Sequence, residues 1–436
     1  MKSIRPLKDT SGIFFILWCM LASFGAYFCM YAFRKPFTTS LYEGYQLWGI
    51  GYKTVLIISQ VLGYMISKFV GIKVISELRP SRRIFLILGL ILFAEAALLG
   101  FGLVPFPFNF VFLFLSGLPL GMVWGVVFSF LEGRRVTEVI SIGLSISLIV
   151  ASGILKTIYL ELHQWLPAIS EFWMPFVIGL LFLPLFCFFV WMLSVIPEPS
   201  HEDKLLRKER RPMNRQDKKL VLKEYGFGLA CLVMVYALLA TLRDFRDNFS
   251  VEIWTEITVD WNSTVFSQTE MISGCIVLLA VGAISVFKNN VRAFRFTLLL
   301  ITFGIVLSGV STLLFQEGIL SPFLWMLFLG IGLFLAYIPI QTALFERMIA
   351  AYRINANAGF FVYICDAIGY LGSVGLLIYK EFFAKELRWS VVLIEFSFLT
   401  TLASLLLLLV VYVFYYRKLK TYPAIQPSRE PVESYI

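Results

Sequence analysis

Long apolar stretches recur along the chain, each closed by a short polar or charged segment. Residues 10–33, 172–197, 296–316, 318–345 and 396–416 contain no Asp, Glu, Lys or Arg. Each exceeds the roughly 17 residues that a helix needs to cross a hydrocarbon core about 30 Å thick. The uncharged run 96–131 is long enough for two crossings and breaks at Pro105-Phe106-Pro107-Phe108-Asn109, which predicts two spans joined by a tight turn. The full pattern predicts spans at 12–34, 51–71, 83–103, 108–131, 139–161, 173–196, 225–247, 266–287, 294–315, 321–345, 356–379 and 389–416.

Composition agrees with this pattern. Hydrophobic residues make up 59% and charged residues 15% of the 436 positions, with mean hydropathy +0.83. Soluble domains carry about 25% charged residues, so the chain reads as an all-α membrane protein. A net charge of +9 could suggest a nucleic-acid partner, but the cations cluster in short segments between apolar runs, where they set orientation. All but ten of the 37 Lys and Arg fall in segments assigned to one face, together with both termini. That asymmetry predicts cytoplasmic termini in an inner-membrane protein. The exceptions include Arg34, Lys35, Lys53, Lys68, Lys156, Arg243 and Arg246.

The segment 198–224 is the one long charged linker, with nine Lys/Arg and six Asp/Glu. It divides the chain into an N-terminal bundle (1–197) and a C-terminal bundle (225–416), followed by a cytoplasmic tail (417–436). A weak echo relates the halves: Phe33-Arg34-Lys35-Pro36-Phe37 closes the first span, and Phe245-Arg246-Asp247-Asn248-Phe249 closes the seventh. Parallel six-helix repeats with a site between them are a transporter architecture. The six cysteines lie inside apolar runs with no metal-site or disulfide spacing, and no metal or cofactor is predicted. The first apolar run is too long for a signal-peptide core and is expected to remain. The sequons at Asn248 and Asn262 fall in the expected outer loop after the seventh span.

Charges inside spans are costly, roughly 2.5–3.5 kcal/mol each on the mild insertion scale, and usually face a cavity or partner. Lys53 and Lys156 lie near span ends, where snorkelling to the interface is expected. Glu95 is mid-span, while Glu270 and Glu395 sit one to two turns inside theirs. Asp366 lies near the middle of the eleventh span, with Gly369, Tyr370 and Gly372 following. It needs a cation, a proton or a ligand. Asp366, Glu270 and Tyr370 are therefore candidate coupling or cavity residues. Arg243 and Arg246, three apart and roughly on one face, either form a salt-bridged span end with Asp244 and Asp247 or face the interior opposite Arg34. Two guanidinium forks in a low-dielectric cavity suit a doubly charged phosphate or carboxylate.

These residues resemble the organophosphate:phosphate antiporter branch of the major facilitator superfamily, which includes bacterial glycerol-3-phosphate and hexose-phosphate transporters. The similarity rests on Arg34-Lys35-Pro36-Phe37 in the first span and on residues 66–92, with Ser67-Lys68-Phe69. In the second half it rests on residues 235–250 and 357–373, including the Gly369–Gly372 run. The resemblance implies twelve transmembrane helices in two pseudo-symmetric six-helix bundles (the major facilitator fold). It also implies one Arg from each half gripping the substrate phosphate, by position Arg34 and Arg243. The internal echo pairs Arg34 with Arg246 instead, and Lys35 and Lys68 are further cationic candidates. The branch's His in the fifth span has no counterpart in residues 141–153; His163 and His201 lie in predicted loops. The resemblance also implies that the first helix continues past Phe33, with Pro36 bending it.

The expected function is secondary active transport of a small anionic solute, phosphorylated or carboxylated, by alternating access in the lipid bilayer, as a monomer. The charged segments 73–83 and 132–138 would supply salt bridges of the cytoplasmic gate. A transporter-like receptor without net transport is the alternative. An enzyme is disfavoured, because no intramembrane His, paired loop carboxylates or Gly-rich phosphate loop is present.

Overall fold

The computed structural model describes residues 12–76, 78–132, 134, 137–198, 215–354, 356 and 358–421. Among these, twelve helices are long and apolar enough to cross a membrane. The first six are α1 (Ile13–Ala32), α2 (Tyr52–Ser76), α3 (Arg83–Leu103), α4 (Phe110–Leu131), α5 (Thr137–Trp165) and α6 (Met174–Ser194). Next come α7 (Arg215–Asn248), a short α8 (Ser250–Ile257), α9 (Thr264–Gly282) and α10 (Asn290–Gln316). A single span then consists of α11 (Pro322–Pro339), a π-helical turn (Ile340–Leu344) and α12 (Phe345–Tyr352). It is followed by α13 (Ala358–Phe382) and α14 (Trp389–Thr421). Pro339 cannot donate to the preceding turn, and the chain widens into the π turn directly after it.

Boundaries differ from expectation in a few places. The seventh span begins at Arg215, inside the expected linker, whose residues 199–214 lie outside the described set. His163 belongs to the last turn of α5 and not to a loop, while His201 is outside the described residues. Helix α1 stops at Ala32, short of the predicted continuation. The N–H groups of Arg34 and Lys35 still bond back to the Tyr31 carbonyl at 3.0 and 2.9 Å, and a 3-10 turn spans Pro36–Thr38. Pro36 thus ends the helix where a bend was expected.

The loop after α1 carries a small hairpin, β1 (Gln46–Leu47) with β2 (Ile50–Gly51), paired antiparallel with Leu47 opposite Ile50. Trp48 and Gly49 both have positive φ, the geometry of a two-residue type I′ turn. This hairpin marks one end of the bundle; the end of α6 and the start of α7 mark the other.

Within lipid, helices associate through close packing more than through hydrophobicity, so small residues mark the seams. Gly117 and Gly121 on α4 face α2: a Cβ added at Gly117 would sit 2.4 Å from the Gln60 carbonyl oxygen. Between the halves, α5 packs along α9, and α2 meets α13. A Cβ at Gly153 of α5 would lie 2.4 Å from the Phe266 carbonyl oxygen. The two halves therefore touch at backbone distance along that seam.

Candidate functional site: a charged cavity between the halves

Arg34 and Lys35 sit on the irregular segment directly after α1. Because that segment folds into the protein, Lys35 is buried and Arg34 is half-buried. Opposite them, α7 presents Arg243, Asp244, Arg246 and Asp247 on successive turns. These residues line one cavity with Tyr31, Ser152, Glu270 and Phe334. Its volume is about 20 Å³, room for about one water molecule. The structure therefore brings all four predicted basic residues from the two half-ends, with Glu270, to a single place. Lys68, Asp366 and Tyr370 are not part of its lining.

The four cations have different surroundings. Lys35 Nζ lies 2.5 Å from Asp247 Oδ2 and donates to Asn248 Oδ1 at 2.7 Å. Arg246 is 4% exposed; it pairs with Glu270 Oε1 at 2.7 Å and donates to the Met326 carbonyl at 3.1 Å. Arg243 pairs with the adjacent Asp244 at 2.7 Å, and its guanidinium lies 4.3 Å from the Tyr337 ring centroid. Arg34 has no carboxylate within ion-pair distance among the described residues. Its guanidinium is held over the faces of Tyr64, at 4.1 Å, and Tyr31, at 5.7 Å. A cation over an aromatic face gains about 2 kcal/mol when desolvated, less than a full counter-charge supplies.

Lys53 and Lys156 do not snorkel, contrary to the sequence reading. Both are buried, because the partners that satisfy them come from the other half. Lys156 Nζ is 2.6 Å from Asp247 Oδ1, and Lys53 Nζ is 2.5 Å from Glu252 Oε1 in α8. Ser152 also donates to Asp247 Oδ1, at 2.5 Å. Burial pushes the Glu252 carboxyl up from its ordinary value, and the Lys53 ammonium pulls it back. Nearer the hairpin, Thr54 donates to Glu381 Oε1 at 2.6 Å and the Gly51 N–H to Glu381 Oε2 at 3.2 Å. Thr157 donates to the Ser263 carbonyl at 2.7 Å, and Ser263 to Glu161. The hairpin end of the molecule is thus closed by polar bonds between halves.

A further inter-half pair lies one helical turn beyond Tyr64. Lys68 Nζ is 2.7 Å from Asp366 Oδ2, and Tyr236 donates to Asp366 Oδ1 at 2.5 Å. Tyr370 packs edge-on against Tyr64, with centroids 5.5 Å apart.

Other expectations fall differently. Glu395 is exposed on α14. Glu95 is buried against Gly179 of α6, with neither carboxylate oxygen hydrogen-bonded. Asn248 is 7% exposed and holds Lys35, so it is no surface sequon. Of the expected gate segments, Glu77 and Arg135 lie outside the described residues, as do the side chains of Lys73 and Glu138. Arg134 is buried, over the Phe15 ring and donating to the Pro197 carbonyl.

Sequence reasoning missed two features. The first is the set of tyrosines behind both arginines: Tyr31 and Tyr64 under Arg34, and Tyr337, bonded to Tyr236, under Arg243. The second is the sign rule of the interior: the first half contributes lysines, and the second contributes the carboxylates they meet. The signal for the second was available, since Lys53, Lys68 and Lys156 precede the linker while Asp247, Glu252 and Asp366 follow it.

The twelve-helix, two-bundle architecture is the major facilitator fold, and the chain is a multi-pass membrane protein. Three solved structures of similar fold are distant in sequence. The nucleoside transporter NupG is 13% identical, with TM-score 0.59, covering 92% of this chain and 98% of its own. A bacterial homologue of the human lysosomal transporter Spinster, inward-facing and unoccupied, is 12% identical, with TM-score 0.59 over 94% of this chain and 98% of its own. A mutant of the peptide transporter POT bound to alafosfalin is 14% identical, with TM-score 0.59 over 94% and 96%. The chain belongs to the family of unknown function DUF5690, whose model matches residues 36–418. No curated protein matches it.

Proposed function

We propose that the chain is a secondary transporter that moves a small anionic solute, phosphorylated or carboxylated, by alternating access. The observation that carries this reading is Arg34. It is a half-buried guanidinium with no carboxylate partner among the described residues, and it shares a cavity with Arg243 of the other half. An anion supplies the missing counter-charge, and a planar fork suits phosphate or carboxylate oxygens. Arg243 is the better second contact, because Arg246 is tied to Glu270 and a backbone carbonyl of other helices, whereas the carboxylate paired with Arg243 is its own neighbour Asp244. Lys35 completes the anion's surroundings once Asp247 gives it up.

A cavity of about 20 Å³ cannot hold a phosphate ester, so loading requires the halves to part. The pairs at the hairpin end are the bonds that must break for that end to open. With the termini cytoplasmic, that end faces outward across the inner membrane. Exchange of one anion for another is the mode implied by the resemblance to the organophosphate antiporter branch. The fold of distant transporters is consistent with this reading and supplies no substrate.

A thermal-stability screen of the purified protein against phosphorylated and carboxylated metabolites tests binding. A ligand at 100 times its Kd stabilises by about 2.7 kcal/mol, and the reading expects anions alone to raise Tm. Stabilisation by cations or neutral solutes only would contradict it. Binding without exchange in proteoliposomes would favour a receptor.

A further inference from the structure

Asp366 is joined to both arginines of the site without lining it. On one side its Oδ2 meets Lys68 at 2.7 Å. Lys68 lies 5.7 Å from the centroid of the Tyr64 ring, whose face carries Arg34. On the other side Oδ1 accepts from Tyr236, whose hydroxyl bonds that of Tyr337 at 2.7 Å, and the Tyr337 ring carries Arg243. One carboxylate therefore sits where a change in either half reaches an arginine through tyrosines.

Its partner comes from the opposite half, so any motion that parts α2 from α13 breaks the pair. The groups facing Asp366 are Lys68 and Tyr64 from α2, Tyr236 from α7 and Tyr337 from α11, with Tyr363, Cys365 and Tyr370 on its own helix. Its own half offers hydroxyls and a thiol but no cation in contact. Asp247 differs in being held by two lysines, Lys35 and Lys156, and by Ser152, where Asp366 has the single cation Lys68. A buried carboxylate stripped of its cation is strongly unfavourable. A protonated carboxyl is not, and it keeps its bond to Tyr236. Lys68, released at the same moment, has no carboxylate of its own half among its described contacts.

We infer that Asp366 is a proton-binding site that loads together with the anion, through the exchange of Lys68 from Asp366 to the solute. The step balances: the Lys68–Asp366 ion pair, one anionic charge of the solute and one proton yield a neutral Asp366 carboxyl and a Lys68–anion pair. This rests on the anion reading and extends it. Each solute that moves carries a proton in the same direction, and anion affinity rises as pH falls. Linkage of one proton makes that change up to about tenfold per pH unit, and proton affinity rises reciprocally with anion.

The test uses the full chain in detergent with inorganic sulfate, an anion that does not titrate near neutral pH, and inorganic phosphate as a second arm. Binding is read as thermal stabilisation, and proton uptake with a pH indicator in weak buffer. The expected result is about one proton taken up per sulfate bound. Uptake is expected to be lost in Asp366→Asn and kept in Asp366→Glu, which guards against a variant that merely fails to fold. Sulfate binding without proton uptake overturns this inference alone, as does full uptake by Asp366→Asn. If neither anion stabilises the protein, the anion reading fails and this inference with it.

Discussion

Arg34 and Arg246 illustrate how little a basic residue's position says about its role until its neighbours are known. Both end the first helix of a half within the same short motif. Arg246 is consumed by Glu270 and the Met326 carbonyl, whereas Arg34 rests on tyrosine faces with its charge uncompensated. Their substitutions should therefore differ in kind. Glu270→Gln leaves the Arg246 guanidinium buried without a counter-charge, and such breaks cost about 3–5 kcal/mol. A marked fall in Tm in detergent is expected, with partial recovery in the Arg246→Met, Glu270→Gln double variant. Arg34→Lys should keep the fold and lose affinity, because an ammonium cannot make the paired contacts of a fork. Isothermal binding of whichever anion stabilises the wild type checks this. The sequence already marked Arg34, Lys35, Arg243 and Arg246 as misplaced charges. It did not reveal which were satisfied, since that depends on Glu270 and Tyr64 from other helices.

At the scale of elements, the spans were legible because each is a long, predominantly apolar run with few charges, and hydropathy defines them. The breaks inside the spans were not. Helix α1 stops at Ala32 because Pro36 lacks a donor and the following turn tightens to 3-10, and this stop delivers Arg34 and Lys35 inward. The close seam between α5 and α9 depends on Gly153, which looks like any glycine in an apolar run. Gly153→Ala would place a methyl 2.4 Å from the Phe266 carbonyl oxygen and 2.6 Å from Glu270 Cγ. That should pry the seam apart at the hairpin end. The expected outcome is faster thiol labelling of a cysteine placed at Ser263 than in the same protein with Gly153 intact.

Across the whole molecule, the ion pairs that join the halves divide by sign. Lysines of the first half meet carboxylates of the second at Lys35–Asp247, Lys156–Asp247, Lys53–Glu252 and Lys68–Asp366. Under the proposed function, an anion that reaches Lys35 would compete with Asp247 for it, so loading the site would weaken the bonds that hold the hairpin end closed. Locking that end should stop turnover. Cysteines at Glu161 and Ser263, with the six native cysteines replaced, are expected to abolish exchange when joined by a short reducible thiol cross-linker. Reductant should restore it. The two-half plan was foreshadowed in the sequence by the linker and the Phe-Arg echo. The complementarity between halves was not, because it appears only when residues some 90 to 300 positions apart are brought together.

Arg34 is proposed to supply the charge for an anion carried between the halves. That role is tested most directly by counterflow of phosphate and of the best-stabilising carboxylate into preloaded proteoliposomes, comparing wild type with Arg34→Ala. Removing one partner of a desolvated charge contact costs on the order of 2 kcal/mol or more, so the variant should accumulate label at least about tenfold more slowly at subsaturating solute. Equal accumulation by the folded Arg34→Ala protein would contradict the account.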